Sequence, residues 1–374
     1  MKNFVIVSTY PEQGSKNIGD QLITTCLKNL VSDLIPDAGF SVIWRADSWD
    51  NVKSTVLGAD HVFFACLALR PNMHKNEYPY LGELVDAGIP FSVIAAGTDL
   101  PVDKDADIYA GFSDDSIRLL KKVNDRAAVF TTRGGVSQEF CLRIGLEKVI
   151  FSGDVAFYDQ SLSEVKFEKG VECKKIVVSD PHRASCYIKP FKTLLDGLRD
   201  LFPEAEVVVA QHGVNKVIDD FCYENSIKTE KIYEDRYGGL KVYDEADLHV
   251  GFRVHAHVSA LKRRKYSYLL EQDGRGCDYG STLERKISVS NFIFPKNLAK
   301  NYKNLARLLL GRPLNYVALA SVSPVHQLLA IIRHDSEDEF RKFAGLEDQI
   351  LKFNRLNQGA IEKALGITES SGIV

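Results

Sequence analysis

The sequence has no CxxC pair, and its seven cysteines (Cys26, Cys66, Cys141, Cys173, Cys186, Cys222 and Cys277) are scattered and odd in number over 374 residues. That pattern argues against a disulfide-stapled scaffold and points to a reduced, cytoplasmic setting. An excess of one charge is missing too. Formal net charge is −3, so bulk electrostatics does not recruit a polyanion, and duplex nucleic acid is not expected as a partner. No apolar run is long enough to cross a bilayer. The opening MKNFVIVSTY enters a strand with no apolar signal core before it. Membrane contact is expected to be peripheral at most, at the inner face. No low-complexity segment and no repeat of solenoid length is present. The loop after the first strand matches neither GxGxxG nor a Walker loop. With 45% hydrophobic and 26% charged residues, the remainder is ordinary globular composition, enough for two domains and an appendage.

What is present is alternation. Phe4–Val7 is a short, continuous, β-branched run, as a parallel strand buried on both faces should be. A polar loop, Ser8–Lys16, leads to a helix over about Gln21–Leu34. Further strands are expected at Ser41–Trp44, Ala59–Cys66, Pro90–Ala96, Ala128–Thr132 and Val149–Ser152, with helices at Pro79–Gly88 and Ser113–Val123 and a third capped by Ser137 and ending at Gly145. Residues 161–174 are polar and aperiodic and read as a linker. The alternation restarts with strands Lys175–Ser179, Glu206–Ala210 and Lys265–Leu270. The expected architecture is α/β: two Rossmann-like doubly wound domains (1–160 and 175–310) facing across a cleft, with a helical tail (311–374) packing back on them.

Asp247–Lys262, DLHVGFRVHAHVSALK, is the stretch on which function turns. It reads as a short strand, a turn at Gly251 and a small-residue helix, with Arg253 and His255 at the junction. A strand's carboxyl end followed by a helix N-terminus is where α/β proteins place ligands. The helix's free N–H groups favour an anion, arginine adds a planar fork, and histidine adds a proton carrier near neutral pH. An anion site containing an acid–base group follows. Two other readings stand beside it: a structural, hydrogen-bonded histidine, and an HxH metal pair of His255 with His257 should the segment stay extended.

The same strand-end rule selects further candidates. Asn17, Gly19 and Asp20 flank the first helix, where Asp20 serves equally well as a first-turn or capping residue. Gly97 closes a strand of small residues, as a close backbone approach would need. Arg133 stands between a strand and the Gly134-Gly135 turn, and Asp154 follows Val149–Ser152. In the second half Asp180, Gln211, His212, Arg253, His255 and Glu271 form another row of polar strand ends. The basic run Lys262-Arg263-Arg264-Lys265 reads as a solvated helix end.

Taken together, these motifs resemble the polysaccharide pyruvyl transferase family over roughly residues 1–290. The residues that carry the resemblance are Asn17, Gly19 and Asp20; Arg133, Ser137 and Gly145; Gly153-Asp154-Val155-Ala156-Phe157; and Arg253-Val254-His255-Ala256. The chain departs from the family at Leu67-Ala68-Leu69, where a Gly-Gly pair is common. It departs at Gly134, where an acidic residue is usual, and at Arg263-Arg264-Lys265-Tyr266, where a Gly-x-Pro is usual. The resemblance implies a two-domain GT-B-type fold. It implies transfer of a pyruvyl group from phosphoenolpyruvate, a co-substrate, to a sugar diol as a ketal, with no cofactor and no metal required. Its partners would be phosphoenolpyruvate and a glycan or lipid-linked sugar; a homo-oligomer is compatible with it. Arg253 and Arg133 would supply cations from the two domains. His255 would be the acid or a phosphate clamp, and Asp20 or Asp154 would bind the acceptor or activate its hydroxyl; for both aspartates, and for Asp154 above all, helix capping or interdomain hydrogen bonding is the other reading. The alternative on the same architecture is a nucleotide-sugar glycosyltransferase, for which Glu271 and the loop Gly274-Arg275-Gly276 offer the acidic residue and the diphosphate loop.

Overall fold

The computed structural model describes residues 2–99, 112–293 and 319–367. Two parallel sheets organise them. The first is built from β1 (Asn3–Ser8), β2 (Gly39–Trp44), β3 (His61–Ala65), β4 (Ala68–Leu69), β5 (Phe91–Thr98), β6 (Phe130–Thr132) and β7 (Val149–Phe151). Its order is β2-β1-β3-β5-β6-β7, with β4 paired to β5. The second is built from β8 (Lys175–Ser179), β9 (Glu206–Ala210), β10 (Thr229–Glu230), β11 (Leu248–Gly251), β12 (Tyr266–Glu271) and β13 (Ser288–Ser290), in the order β10-β9-β8-β11-β12-β13. Central strands such as His61–Ala65 and Phe91–Thr98 are buried along their whole length. Helices cover both faces, which is why these strands read as continuous apolar runs.

The helices are α1 (Ile18–Leu34), α2 (Trp49–Leu57), α3 (Met73–Asn76), α4 (Leu81–Asp86), α5 (Asp114–Arg126), α6 (Gly135–Arg143), α7 (Ala184–Leu201), α8 (Lys216–Glu224), α9 (Val254–Lys262), α10 (Gly274–Thr282), α11 (Ser323–Glu337) and α12 (Leu346–Leu365). Two boundaries differ from expectation for local reasons. Helix α1 starts at Ile18, with Asn17 in the N-cap position and Asp20 in the first turn. Ser137 does not cap α6. The N-cap position belongs to Gly134, and Ser137 lies inside the helix.

Strand order reverses once in each sheet. The chain runs β1 to β2 outward and then returns to place β3 on the other side of β1. It repeats the move with β8, β9 and β10 before β11. Loops at such a reversal splay apart and leave a crevice outside the strands' carboxyl ends. Here the two crevices meet. The Ile18 amide donates to the His212 carbonyl at 3.0 Å, and the Val214 amide to the Ser15 carbonyl at 3.0 Å. The loop after β1 is thereby stitched to the loop after β9.

The C-terminal helices hold both halves. In α11, Val325, Leu328 and Ile332 are buried, and Leu329 lies against Gly197 of α7. In α12, Phe353 packs on Gly153 and Phe157, and the Asn357 side chain donates to the Ser152 carbonyl at 3.1 Å. Helix α11 thus covers the second sheet and α12 the first.

Candidate functional site

The turn after β11 is fixed by Ser179 at the end of β8. Its hydroxyl accepts from the Phe252 and Arg253 amides, both at 3.1 Å. That places Arg253 at the N-cap of α9 without a capping side-chain bond. His255 follows in the first turn, where it faces the cleft. Two chambers open there. One is lined by Asn17, His182, His212, Phe252, Arg253, Val254, His255, Gln272, Asp273 and Arg275 and is narrow, with a cavity volume of about 20 Å³. The other, with a cavity volume of about 40 Å³, is lined by Thr9, Asp20, Ile23, Arg45, Cys66, Ala68, Arg70, Gly97, Thr98, Asp99, Arg133, His255 and Arg275. His255 and Arg275 belong to both.

His255 is buried, and its Nε2 has no hydrogen-bond partner among the described residues. Burial, with the positive charges of Arg133 and Arg275, holds its pKa well below the usual histidine range. It is a neutral imidazole at rest. Gly19 makes room for it: a Cβ there would lie 2.7 Å from the His255 Cβ. Asp20 lies opposite, and its carboxylate accepts from Asn17 Nδ2 at 2.9 Å. Burial raises the Asp20 pKa, against the pull of Arg45 and Arg275.

The cations are individually anchored. Arg253 donates through Nη2 to Asp180 Oδ2 at 2.6 Å and through Nε to Asp180 Oδ1 at 3.0 Å. Arg275 pairs with Asp273 at 2.6 Å. Although burial works the other way, that arginine holds the Asp273 carboxyl down at about 2. Arg70 pairs with Asp99 at 3.0 Å and Glu77 at 3.1 Å. Arg133 is buried, donates to the Thr98 carbonyl at 3.0 Å, and lies 3.5 Å from Asp278. Gly97 is required by that approach, since a Cβ there would sit 2.3 Å from the Arg133 guanidinium carbon.

Asp278 of α10 also supplies what Ser137 was expected to supply. Its Oδ1 accepts from the Val136 and Ser137 amides at 3.0 and 3.3 Å, and its Oδ2 accepts from the Ser137 hydroxyl at 2.5 Å. The N-terminus of α6 is therefore capped from the other half of the molecule. Gly134 permits this. A Cβ at that position would lie 2.0 Å from Asp278 Oδ1. An acidic side chain is thus held at the start of α6, but by position 278 rather than by position 134.

Several expected site residues lie elsewhere. Asp154 is buried. It accepts from the Ala156 amide at 2.8 Å and from the Tyr279 hydroxyl, so it caps a short turn and ties the halves together. Ser137 is spent on Asp278, and Gln211 donates to Asp219 at 3.0 Å; neither lines a chamber. Glu271 accepts from Ser288 at 2.6 Å and Ser290 at 2.7 Å, on the β13 side of the sheet and away from both chambers. The strand extends through Glu271 rather than stopping at Leu270, so that side chain follows the sheet's alternation. His212 does line the cleft, with Nε2 2.6 Å from the Tyr243 hydroxyl; burial lowers its pKa to about 3. The HxH pair does not form, because the segment is helical. His257 points into the core with Nδ1 2.7 Å from Ser267 Oγ, which also meets His249 at 2.7 Å. Among the described residues no group of three or more His, Cys, Asp or Glu is placed to hold a metal ion. Nor is any helix among them long and apolar enough to cross a membrane.

Thr9, Arg45, Arg70, Asp99 and Gln272 were not anticipated. Thr9 and Arg45 directly follow β1 and β2, so the strand-end rule applied to Arg253 would have found them.

A family model for polysaccharide pyruvyl transferase matches residues 17–271. The chain belongs to the polysaccharide pyruvyl transferase family. No curated protein matches it in sequence. Among solved structures, it is similar to the S. aureus MnaA–UDP co-structure at 10% identity and a TM-score of 0.53, covering 100% of this chain and 99% of that one. A UDP-GlcNAc 2-epimerase from N. meningitidis bound to UDP-GlcNAc is 12% identical with a TM-score of 0.48, covering 90% and 100%. The wall teichoic acid polymerase TagF is 12% identical with a TM-score of 0.45, covering 96% and 89%. At such identities the likeness is one of fold, and that fold is GT-B-like, as the resemblance implied. Family membership makes the chain a polysaccharide-modifying transferase.

Proposed function

We propose that the cleft transfers the pyruvyl group of phosphoenolpyruvate to two hydroxyls of a sugar, forming a ketal and releasing inorganic phosphate. The observation that carries this reading is the placement of His255. A neutral, buried imidazole with an unpartnered Nε2 stands where two chambers join, with Arg133 on one side, Arg253 on the other and Arg275 in both.

The donor carries a carboxylate and a phosphate close together, so its site needs cations held in advance of binding. Arg133 and Arg253 supply one from each half. Their carboxylate partners fix the guanidinium planes, so little side-chain entropy is lost when the donor arrives. Two of the charges that keep His255 neutral belong to Arg133 and Arg275. A bound trianion offsets both, and the His255 pKa rises on binding. His255 then either protonates the enol methylene, leaving an oxocarbenium-like centre at C2, or clamps the phosphate as an imidazolium. One sugar hydroxyl adds at C2, and a second displaces phosphate. Asp20, a half-buried carboxyl facing the cleft from the acceptor half, would orient or deprotonate an acceptor hydroxyl. The scheme calls on no cofactor.

The test is phosphate release from phosphoenolpyruvate with β-galactosyl, mannosaminyl and glucosyl acceptors, for wild type and His255→Ala. Acceptor-dependent release lost in the variant is the expected result. Thermal stabilisation by a nucleotide sugar, with none by phosphoenolpyruvate, would sink the reading in favour of glycosyl transfer. That alternative leaned on Glu271, which lies outside both chambers, and on the loop Gly274-Arg275-Gly276, whose Arg275 lines both.

A further inference from the structure

Five arginines line the two chambers: Arg45, Arg70, Arg133, Arg253 and Arg275. Four of them have a carboxylate within ion-pair distance. Arg45 has none among the described residues. Its guanidinium instead lies 5.6 Å from the Trp44 ring centroid and 5.9 Å from that of Tyr78, whose hydroxyl it also engages, and the Asp20 carboxyl across the chamber feels its charge from beyond ion-pair distance. Beside it is Thr9. Ser8 and Trp44 are register partners in the parallel pair β1–β2, so Thr9 and Arg45 leave adjacent strands together, and the Arg45 amide bonds the Ser8 carbonyl at 3.1 Å. Thr9 is 5% exposed, and its hydroxyl has no hydrogen-bond partner among the described residues. A buried hydroxyl left unbonded costs free energy that a ligand recovers. Both residues line the same chamber, and so does Arg70, whose Nε is also unpartnered.

We propose that Arg45 and Thr9 form a phosphoryl subsite at the carboxyl ends of β1 and β2. A planar cation with no carboxylate in ion-pair contact and an unused hydroxyl on neighbouring strand ends match the oxygens of a phosphate dianion. Arg133 and Arg253 can then engage the donor's carboxylate and ester region while Arg45 and Thr9 hold the phosphate. The assignment of that phosphate to the donor rests on the proposed function. The subsite itself rests only on its geometry. A phosphate carried by the acceptor is the other source with the same chemistry.

The experiment uses the full chain in four forms: wild type, Arg45→Gln, Thr9→Val and, as a distant control, Lys216→Gln. Inorganic phosphate and phosphoenolpyruvate are titrated separately by calorimetry, and melting temperatures confirm folding. Arg45→Gln should weaken inorganic phosphate roughly tenfold to a hundredfold, the range of a charge-assisted hydrogen bond, and Thr9→Val roughly threefold to tenfold, with Lys216→Gln unchanged. A parallel loss for phosphoenolpyruvate places the donor's phosphate here. Unchanged phosphoenolpyruvate affinity with a raised KM for a phosphate-bearing acceptor places the acceptor's there. Either outcome supports the subsite. Arg45-dependent phosphate binding in a protein that neither binds nor turns over phosphoenolpyruvate would keep the subsite and overturn the proposed function. Equal phosphate affinity in wild type, Arg45→Gln and Thr9→Val, or no phosphate binding by folded wild type, would overturn the subsite.

Discussion

Gly134→Ala is the substitution that probes the cap of α6 most directly. Gly134 has φ −150° and ψ 165°, extended backbone that alanine adopts without strain. Any cost therefore comes from the new methyl group, which would lie 2.0 Å from Asp278 Oδ1 and 2.3 Å from its Cγ. The carboxylate must withdraw by roughly 1 Å or more to reach ordinary contact. Doing so breaks its bonds to two amides and the Ser137 hydroxyl and draws it away from buried Arg133. Breaking a buried, hydrogen-bonded charge pair costs about 3–5 kcal/mol. Asp278→Ala, which deletes the acceptor outright, should cost about the same. In the double variant the methyl group has nothing to displace, so its additional cost should fall below about 0.5 kcal/mol, a coupling of about 3 kcal/mol. Urea titration of the three variants measures this. Hydrogen exchange at the Val136 and Ser137 amides reports locally, since both should lose protection in either single variant. Additive costs, or amides that stay protected in Gly134→Ala, would refute the cap and with it the account of how the two halves register.

Glu271→Gln should leave kcat/KM within about twofold, because its serine contacts lie outside the chambers; a loss beyond tenfold would return Glu271 to the site. His257 is buried and neutral, with burial lowering its pKa to about 3. Its folded value is below the unfolded one, so the unfolded chain binds the extra proton, and the stability this group supports is lost as pH falls from 6.5 towards 3. Between pH 7.5 and 5.0 that loss is about 2 kcal/mol. His257→Asn should make the urea stability profile shallower by that amount over the interval; an unchanged slope would contradict the neutral assignment.

Much of the fold was legible in the sequence because central parallel strands are covered on both faces. Runs such as Phe4–Val7 have no polar alternation to hide them. The junction at Arg253 and His255 was legible for a related reason: strand, glycine turn and helix follow one another without interruption. The capping of α6 was not legible, since its acceptor lies 141 residues away and no local pattern announces it. Glu271 was read as a rim residue because the sequence does not show that Ser288 and Ser290 of the neighbouring strand take up its carboxylate. Gln211 was read as a rim residue because strand ends look alike in sequence, whereas Asp154 takes the capping and interdomain role that stood beside its site role. Whether a polar group there faces a ligand or a neighbour depends on partners such as Tyr279 and Asp219.

The bonds that join Ile18 to His212 and Val214 to Ser15 are main chain to main chain. No side-chain replacement short of proline at 18 or 214 deletes either of them. The alignment of the two strand-order reversals is therefore insulated from turnover in the residues that line the cleft. A lineage carrying this frame can exchange the side chains on the cleft walls one at a time and keep the two halves in register throughout. Changes on the walls of the cleft therefore leave this main-chain part of the joint intact, beside the side-chain ties that Asp278 and Asp154 make across it.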